Sequence, residues 1–187
     1  LYATVTKGYK TGGFNTSFDR EEDRTFRPET SWNYELGAKH PFLDNRLNAE
    51  FCFFWIDWKN QQIYQMLATQ NGQYLRNAGR SESKGVEVSL QGNPVNGLMV
   101  QVNYGFTHGN FLPMVPRHTF AVGADYTIPN PCRHIDRFTV SANYTGTGRI
   151  LWKEDNKVSQ PYYGLLNAKV SATKDFITFA IWAKNMT

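Results

Sequence analysis

The chain has 187 residues, of which 41% are hydrophobic, 15% aromatic and 19% charged, with a formal net charge of +4. No apolar run approaches the roughly 20 residues of a membrane-spanning helix, the aromatic content is too high for a disordered chain, and two cysteines are too few for a disulfide scaffold. The 20 Lys and Arg are scattered, so there is no footprint for nucleic acid.

The chain starts in mid-pattern, with no charged-plus-apolar leader, and reads as part of something larger. Apolar and polar residues then alternate with a period of two, which predicts strands with one wet face. Leu1, Ala3 and Val5 oppose Tyr2, Thr4 and Thr6. Trp32, Tyr34, Leu36 and Ala38 oppose Asn33, Glu35, Gly37 and Lys39. Leu47 to Met66 starts the same way but is aromatic on both faces at Phe53, Phe54 and Trp55, which predicts one long strand with a bulge. Val86, Val88 and Leu90 follow, opposed by Glu87, Ser89 and Gln91. Four more segments alternate: Leu98 to His108, His118 to Ile128, Phe138 to Thr147 and Leu166 to Thr173. Ile177 to Lys184 is the ninth, and no segment carries a helix signal.

The connections come in two kinds. Pro41 to Arg46, Asn93 to Gly97, Pro129 to Arg137 and Lys174 to Asp175 are short. Thr11 to Thr30, Ala68 to Gln73, Gly109 to Pro116 and Arg149 to Tyr163 are more polar and mostly longer. The two kinds alternate, as an up-and-down antiparallel sheet requires. Alternation by itself does not say which face is dry. A soluble β-sandwich hides its apolar face; an outer-membrane barrel turns it to lipid and lines its lumen with the polar face. Polar faces of Thr, Ser, Asn, Gln and Gly favour the barrel. So do aromatics near strand ends, such as Trp32, Tyr34, Phe138 and Tyr144, where interfacial girdles fall. Most strands also reach the about 9–11 residues needed to cross a bilayer.

Several stretches stand out in chain order: Gly8-Tyr9-Lys10-Thr11-Gly12-Gly13-Phe14-Asn15, then Pro28-Glu29 with Trp32-Asn33-Tyr34-Glu35-Leu36-Gly37-Ala38-Lys39. Asn77-Ala78-Gly79-Arg80 with Lys84-Gly85-Val86-Glu87, Val115-Pro116-Arg117-His118-Thr119-Phe120 and the terminal Ala183-Lys184-Asn185-Met186-Thr187 follow. These stretches, in this order, resemble the TonB-dependent outer-membrane receptors. Within the family the chain is most similar to siderophore receptors. The resemblance implies an all-β, antiparallel up-and-down transmembrane β-barrel fragment: nine strands of a barrel of about 22. Residues 1–187 are then a partial barrel domain, without the plug domain, the energy-coupling box and the last strand. The implied function is energised uptake of a ferric siderophore or similar scarce nutrient across the Gram-negative outer membrane. The implied partners are the plug, the inner-membrane TonB complex and outer-membrane lipid. Relatives carry a longer loop before Val115, so residues are expected to be absent near His108–Gly109.

No catalytic, metal or cofactor constellation is visible. His40, His108, His118 and His134 lie on different elements, and the Gly8, Gly12, Gly13 run has no helix after it to cradle phosphate. Asp19 to Arg24 reads as a solvated charge run. Candidates for ligand contact, in the outer loops and upper lumen, are Tyr9, Lys10, Tyr64, Tyr74, Arg80, Arg149 and Trp152. Aromatic and Arg side chains suit anionic, catechol-like or haem-like ligands; the plainer reading of each is packing or lumen lining. Glu35, Lys39, Glu87 and Arg80 are candidates for lumen ion pairs that brace the wall or the plug. The competing functions are a passive porin, a barrel enzyme with a Ser/His or Asp/His cluster at its rim, and a soluble β-sandwich binding module.

Overall fold

The computed structural model describes residues 1–110, 114–152 and 158–187. In chain order its strands are β1 (Tyr2–Lys10), β2 (Gly13–Phe14), β3 (Thr25–Phe26), β4 (Glu29–Phe42), β5 (Leu47–Lys59), β6 (Gln62–Met66), β7 (Gln73–Asn77) and β8 (Arg80–Val95). After these come β9 (Leu98–Gly109), β10 (His118–Cys132), β11 (Ile135–Thr147), β12 (Ile150–Leu151), β13 (Ser159–Gln160), β14 (Tyr163–Lys174) and β15 (Ile177–Ala183). Nine of them form one sheet in the order β1-β4-β5-β8-β9-β10-β11-β14-β15, every neighbour antiparallel. The other six pair in twos within the long loops.

Register settles what each face is made of. Ala38, Phe51, Val88, Tyr104 and Phe120 lie in one cross-strand row, and Leu90, Val102, Val122 and Tyr144 in the next. The opposite face carries the row Asn48, Gln91, Gln101, Gly123, Asn143 and Asn167. On that face side chains bond across strands. Ser89 Oγ donates to Asn103 Oδ1 at 2.7 Å, and Asn167 Nδ2 donates to Asn143 Oδ1 at 2.8 Å. Among the described residues the only buried hydrophobic side chain is Tyr74. The accessible area is 13080 Å², against roughly 9,200 Å² for a soluble monomer of this mass. The apolar face is therefore open, as a wall facing lipid requires and a sandwich forbids.

Two expectations need correction. The stretch from Leu47 to Met66 is not one strand. β5 ends at Lys59, Asn60 turns through a left-handed φ of 56°, and Gln62–Met66 becomes β6, paired with β7. The connection between wall strands is therefore residues 60–79, and Ala68 to Gln73 is only the turn region of its hairpin. Nor is there a bulge at Phe53–Trp55, where pairing with β4 and β8 is continuous. Aromatics fill both faces there because Phe54 lays its ring over Gly85 on the neighbouring strand, where a Cβ would collide with it. Register shifts occur instead between Gly92 and Val95 and between Pro129 and Cys132. Pro94, Pro129 and Pro131 sit in or beside these places and lack a ladder donor. A further departure is a 3-10 turn at Glu21–Arg24, inside the charge run. His108 and Gly109 lie in β9 in unbroken register with Lys84 and Ser83, and Asn110 bonds to Glu82 beyond them; Phe111 and Leu112, the rest of the suspected gap, lie outside the described residues.

One acid ties the start of β11 to the turn between β14 and β15. Asp136 takes a hydrogen bond from Lys174 Nζ at 2.8 Å and from the Asp175 backbone N–H at 2.7 Å. The Lys174 bond and then the Asp175 bond hold its carboxyl below the usual carboxylate range. A depressed folded value means the clamp is fully present above the ordinary carboxylate pKa of about 3.9. It is lost as pH falls through the lowered value. Titration of the Asp136 carboxyl by NMR is expected to show a midpoint below that of an unstructured Asp; a midpoint at or above it contradicts the clamp.

Candidate functional site

The long-loop end is built around three amide side chains. Asn15, just after β2, donates from Nδ2 to the Asp23 carbonyl at 2.6 Å and to the Leu75 carbonyl at 2.8 Å. Its Oδ1 accepts the Leu75 N–H at 2.9 Å. Asn77, at the end of β7, accepts the Arg27 N–H at 2.7 Å and donates to the Arg27 and Asn60 carbonyls at 3.1 and 2.7 Å. Gln62 opens β6. Its N–H reaches Glu29 at 2.7 Å, and its Nε2 donates to the Thr11 and Arg27 carbonyls at 2.9 and 3.1 Å. Asp19 accepts the Ala68 N–H, and Arg76 lies 3.6 Å from the buried Asp23. Asp23 is thus a tie between loops, a correction to the solvated reading of its charge run. These bonds join residues 11–28 and 60–79 into one body, because short amides replace backbone partners that irregular chain cannot supply.

The seven candidate residues are not brought together. Tyr64 and Tyr74 sit on neighbouring rungs of the β6–β7 hairpin, Tyr64 67% exposed and Tyr74 7%. Burial, then Asp23 and Asp19 nearby, push the Tyr74 hydroxyl above its usual pKa. Tyr9 and Arg80 fall in one row with Thr30 and Lys59, on the same face as the apolar band. Arg80 gives Nε and Nη2 to Asp57 at 2.8 and 3.1 Å. Lys10 ends β1 opposite Glu29, in the parity of the polar face. Arg149 and Trp152 belong to a separate hairpin, where Arg149 donates to Ser159 Oγ at 3.1 and 2.9 Å. That hairpin meets the loop before β10 through the Met114 N–H and the Leu151 carbonyl, 2.7 Å apart.

Sequence reasoning gave Asn15, Gln62 and Asn77 no role. Asn15 and Asn77 each stand two residues from a glycine at the end of a short strand, a setting where an amide commonly bridges backbone; Gln62 carries no signal at all.

Below the loops the polar face forms an open trough of about 710 Å³, bordered by Tyr2, Asn33, Glu35, Glu50, Phe54 and Glu87. Lys39 pairs with Glu50 at 2.9 Å, and Glu35 accepts from Asn33 Nδ2. Glu35 and Glu87 have no cation partner among the described residues. Of the expected lumen pairs, Lys39 pairs with Glu50, and Arg80 pairs on the opposite face. No group of three His, Cys, Asp or Glu among the described residues is placed to hold a metal.

Comparison with known proteins gives this arrangement a context. The chain is 31% identical over 130 residues to the pesticin receptor of Yersinia pestis, covering 63% of this chain and 19% of that one. It is 26% identical over 154 residues to the ferric-pyoverdine M114 receptor PbuA of Pseudomonas sp. strain M114, covering 75% and 18%. The crystal structure of the ferric yersiniabactin uptake receptor FyuA from Yersinia pestis superposes with a TM-score of 0.81 at 21% identity, over 98% of this chain and 29% of that chain. FpvA of P. aeruginosa, solved with a heterologous ferric pyoverdine, gives 0.75 at 20% identity, over 98% and 26%. The chain thus spans about a fifth of the length of these curated relatives. A model of the TonB dependent receptor-like β-barrel family matches residues 1–186, and the chain belongs to that family.

Proposed function

We propose that this chain supplies part of the wall and outer loops of a receptor for energised uptake of a ferric siderophore or a similar scarce nutrient. Its family consists of transporters, not enzymes, in the Gram-negative outer membrane. The observation that carries the reading is the stitched pair of loops at the long-loop end. A passive pore gains nothing from an ordered superstructure there, whereas a receptor gains affinity from pre-set side chains. Relatives named as ferric-chelate receptors support the choice of cargo class.

Within this reading Glu35 and Glu87 face a plug domain of the same protein and pair with cations on it. The plug in turn gives the inner-membrane TonB complex its point of attachment. The test is radio-iron uptake by cells carrying the complete receptor, with a panel of ferric chelates. Uptake that depends on inner-membrane energy is expected; equal permeation without it moves the protein to the porin reading. Replacing Glu35 and Glu87 together by Gln is expected to cut uptake several-fold while the barrel still assembles. Unchanged uptake removes the bracing role.

A further inference from the structure

The two edges of the β6–β7 hairpin are finished differently. In an antiparallel pair alternate residues turn their backbone groups towards the partner strand and away from it. The Leu67 N–H donates to the Gly72 carbonyl at 2.9 Å, and the Ala78 N–H to the Gln61 carbonyl at 2.7 Å. With the register of β6 on β7, this turns the backbone of Ile63 and Gln65 towards β7, and that of Gln62, Tyr64 and Met66 towards the open side. On β7 the residue opposite Tyr64 is Leu75, whose N–H and carbonyl are both taken by Asn15, so that edge is sealed there.

The edge of β6 is closed only at its ends. Glu29 accepts the Gln62 N–H at 2.7 Å, and Asp19 Oδ2 accepts the Ala68 N–H at 3.0 Å. Between them the N–H and carbonyl of Tyr64 and of Met66 have no partner among the described residues. Natural sheet edges are guarded by charge, proline or a bulge. Residues 60–75 contain no charged side chain and no proline, and β6 pairs with β7 in unbroken register. The Tyr64 and Met66 side chains share one face of the strand and are 67% and 61% exposed.

We infer that the β6 edge is a docking site for an extended segment of another protein outside the cell, which adds to the hairpin as a third strand. Donors and acceptors alternate along the edge, with about 7 Å from one outward residue to the next. An extended peptide backbone matches that spacing, and a compact ligand does not. Tyr64 and Met66 then pack against side chains of the added strand as cross-strand neighbours. The carboxylates of Glu29 and Asp19 close the edge at Gln62 and Ala68, roughly 20 Å of strand apart. They select a segment that is uncharged in its middle and carries Lys or Arg at its ends. The inference rests on the long loops facing outward, not on the cargo.

The test uses the complete receptor in detergent, with binding read by fluorescence anisotropy and by amide exchange. The probe is the end-blocked peptide Lys-Thr-Val-Thr-Val-Thr-Lys. Its controls are the same peptide with every middle amide N-methylated, and a counterpart with Glu at both ends. The probe is expected to slow exchange of the Tyr64 and Met66 amides several-fold and to leave Ile63 and Gln65, already bonded to β7, unchanged. The methylated peptide, stripped of donors, is expected to bind at least about tenfold more weakly. Met66→Pro removes an open-edge N–H where an edge strand tolerates proline. It is expected to weaken binding several-fold while the Gln65 amide stays protected. The D19N/E29Q variant keeps both acceptors and is expected to bind the Lys-ended and Glu-ended peptides equally, where the wild type prefers the first. Four results would overturn the inference: slow exchange of the Tyr64 and Met66 amides in the receptor alone, no protection by the probe, equal binding of the methylated peptide, or receptor dimers that Met66→Pro dissolves. Iron uptake is not a readout, so failure here leaves the receptor reading intact.

Discussion

Replacing Asn15 by Ala is expected to loosen both stitched loops together. The side chain makes three bonds, two to the β6–β7 hairpin at Leu75 and one to the Asp23 carbonyl of its own loop. A net hydrogen bond is worth about 0.5–1.5 kcal/mol, and the partners left behind are part-buried. The local opening free energy should therefore fall by about 2–4 kcal/mol. Amide exchange should accelerate in Gly13–Phe26 and in Gln73–Asn77 alike, with the wall strands unchanged. Acceleration in the first loop alone would mean that the two loops are independent bodies. Asn77→Ala is expected to act in the same way from the other side, since it holds Arg27 and Asn60. A receptor whose outer loops must be pre-set should then lose ligand affinity without losing its barrel.

Val102→Arg is expected to cost the folded barrel about 2–4 kcal/mol, the cost of a basic residue at the middle of the lipid face. Val102 lies mid-strand on β9, between Leu90 and Val122 in the apolar row. Gln101→Arg, one residue earlier, points to the polar face beside Gln91 and Gly123. It should change stability by less than about 1 kcal/mol. Urea unfolding of the complete receptor in lipid vesicles measures both. A larger cost for Gln101→Arg than for Val102→Arg would invert the faces and refute the membrane assignment. The experiment separates a barrel wall from a sandwich by one step along a strand, because successive side chains point to opposite faces.

Much of the wall is legible in the amino-acid sequence. Leu98 to His108 and His118 to Ile128 alternate cleanly, and β9 and β10 follow them within a few residues. Where the reading failed, the cause was local. Phe53-Phe54-Trp55 looks like a lapse in alternation, yet an inward aromatic is permitted wherever the neighbouring strand offers a glycine. Gln62 to Met66 continues the pattern of β5, and only the left-handed Asn60 redirects it into a hairpin. The site was less legible. Their residue types make Tyr9 and Arg80 candidates for ligand or lumen contact, but parity counted from Val5 and Val86 puts them on the outward face. That count needs a strand start, and strand starts are poorly marked in sequence.

The sequence by itself determined nine antiparallel strands, one apolar and one polar face, and alternating short turns and long loops. It could do so because the side-chain period of a strand is a property of neighbouring residues. The tertiary structure alone decided that residues 11–28 and 60–79 form one body, and that Asp23 is buried. These depend on side chains as much as 60 residues apart reaching backbone across irregular chain. No periodicity encodes such contacts; they arise where buried donors and acceptors must find partners once the wall has set the loops side by side.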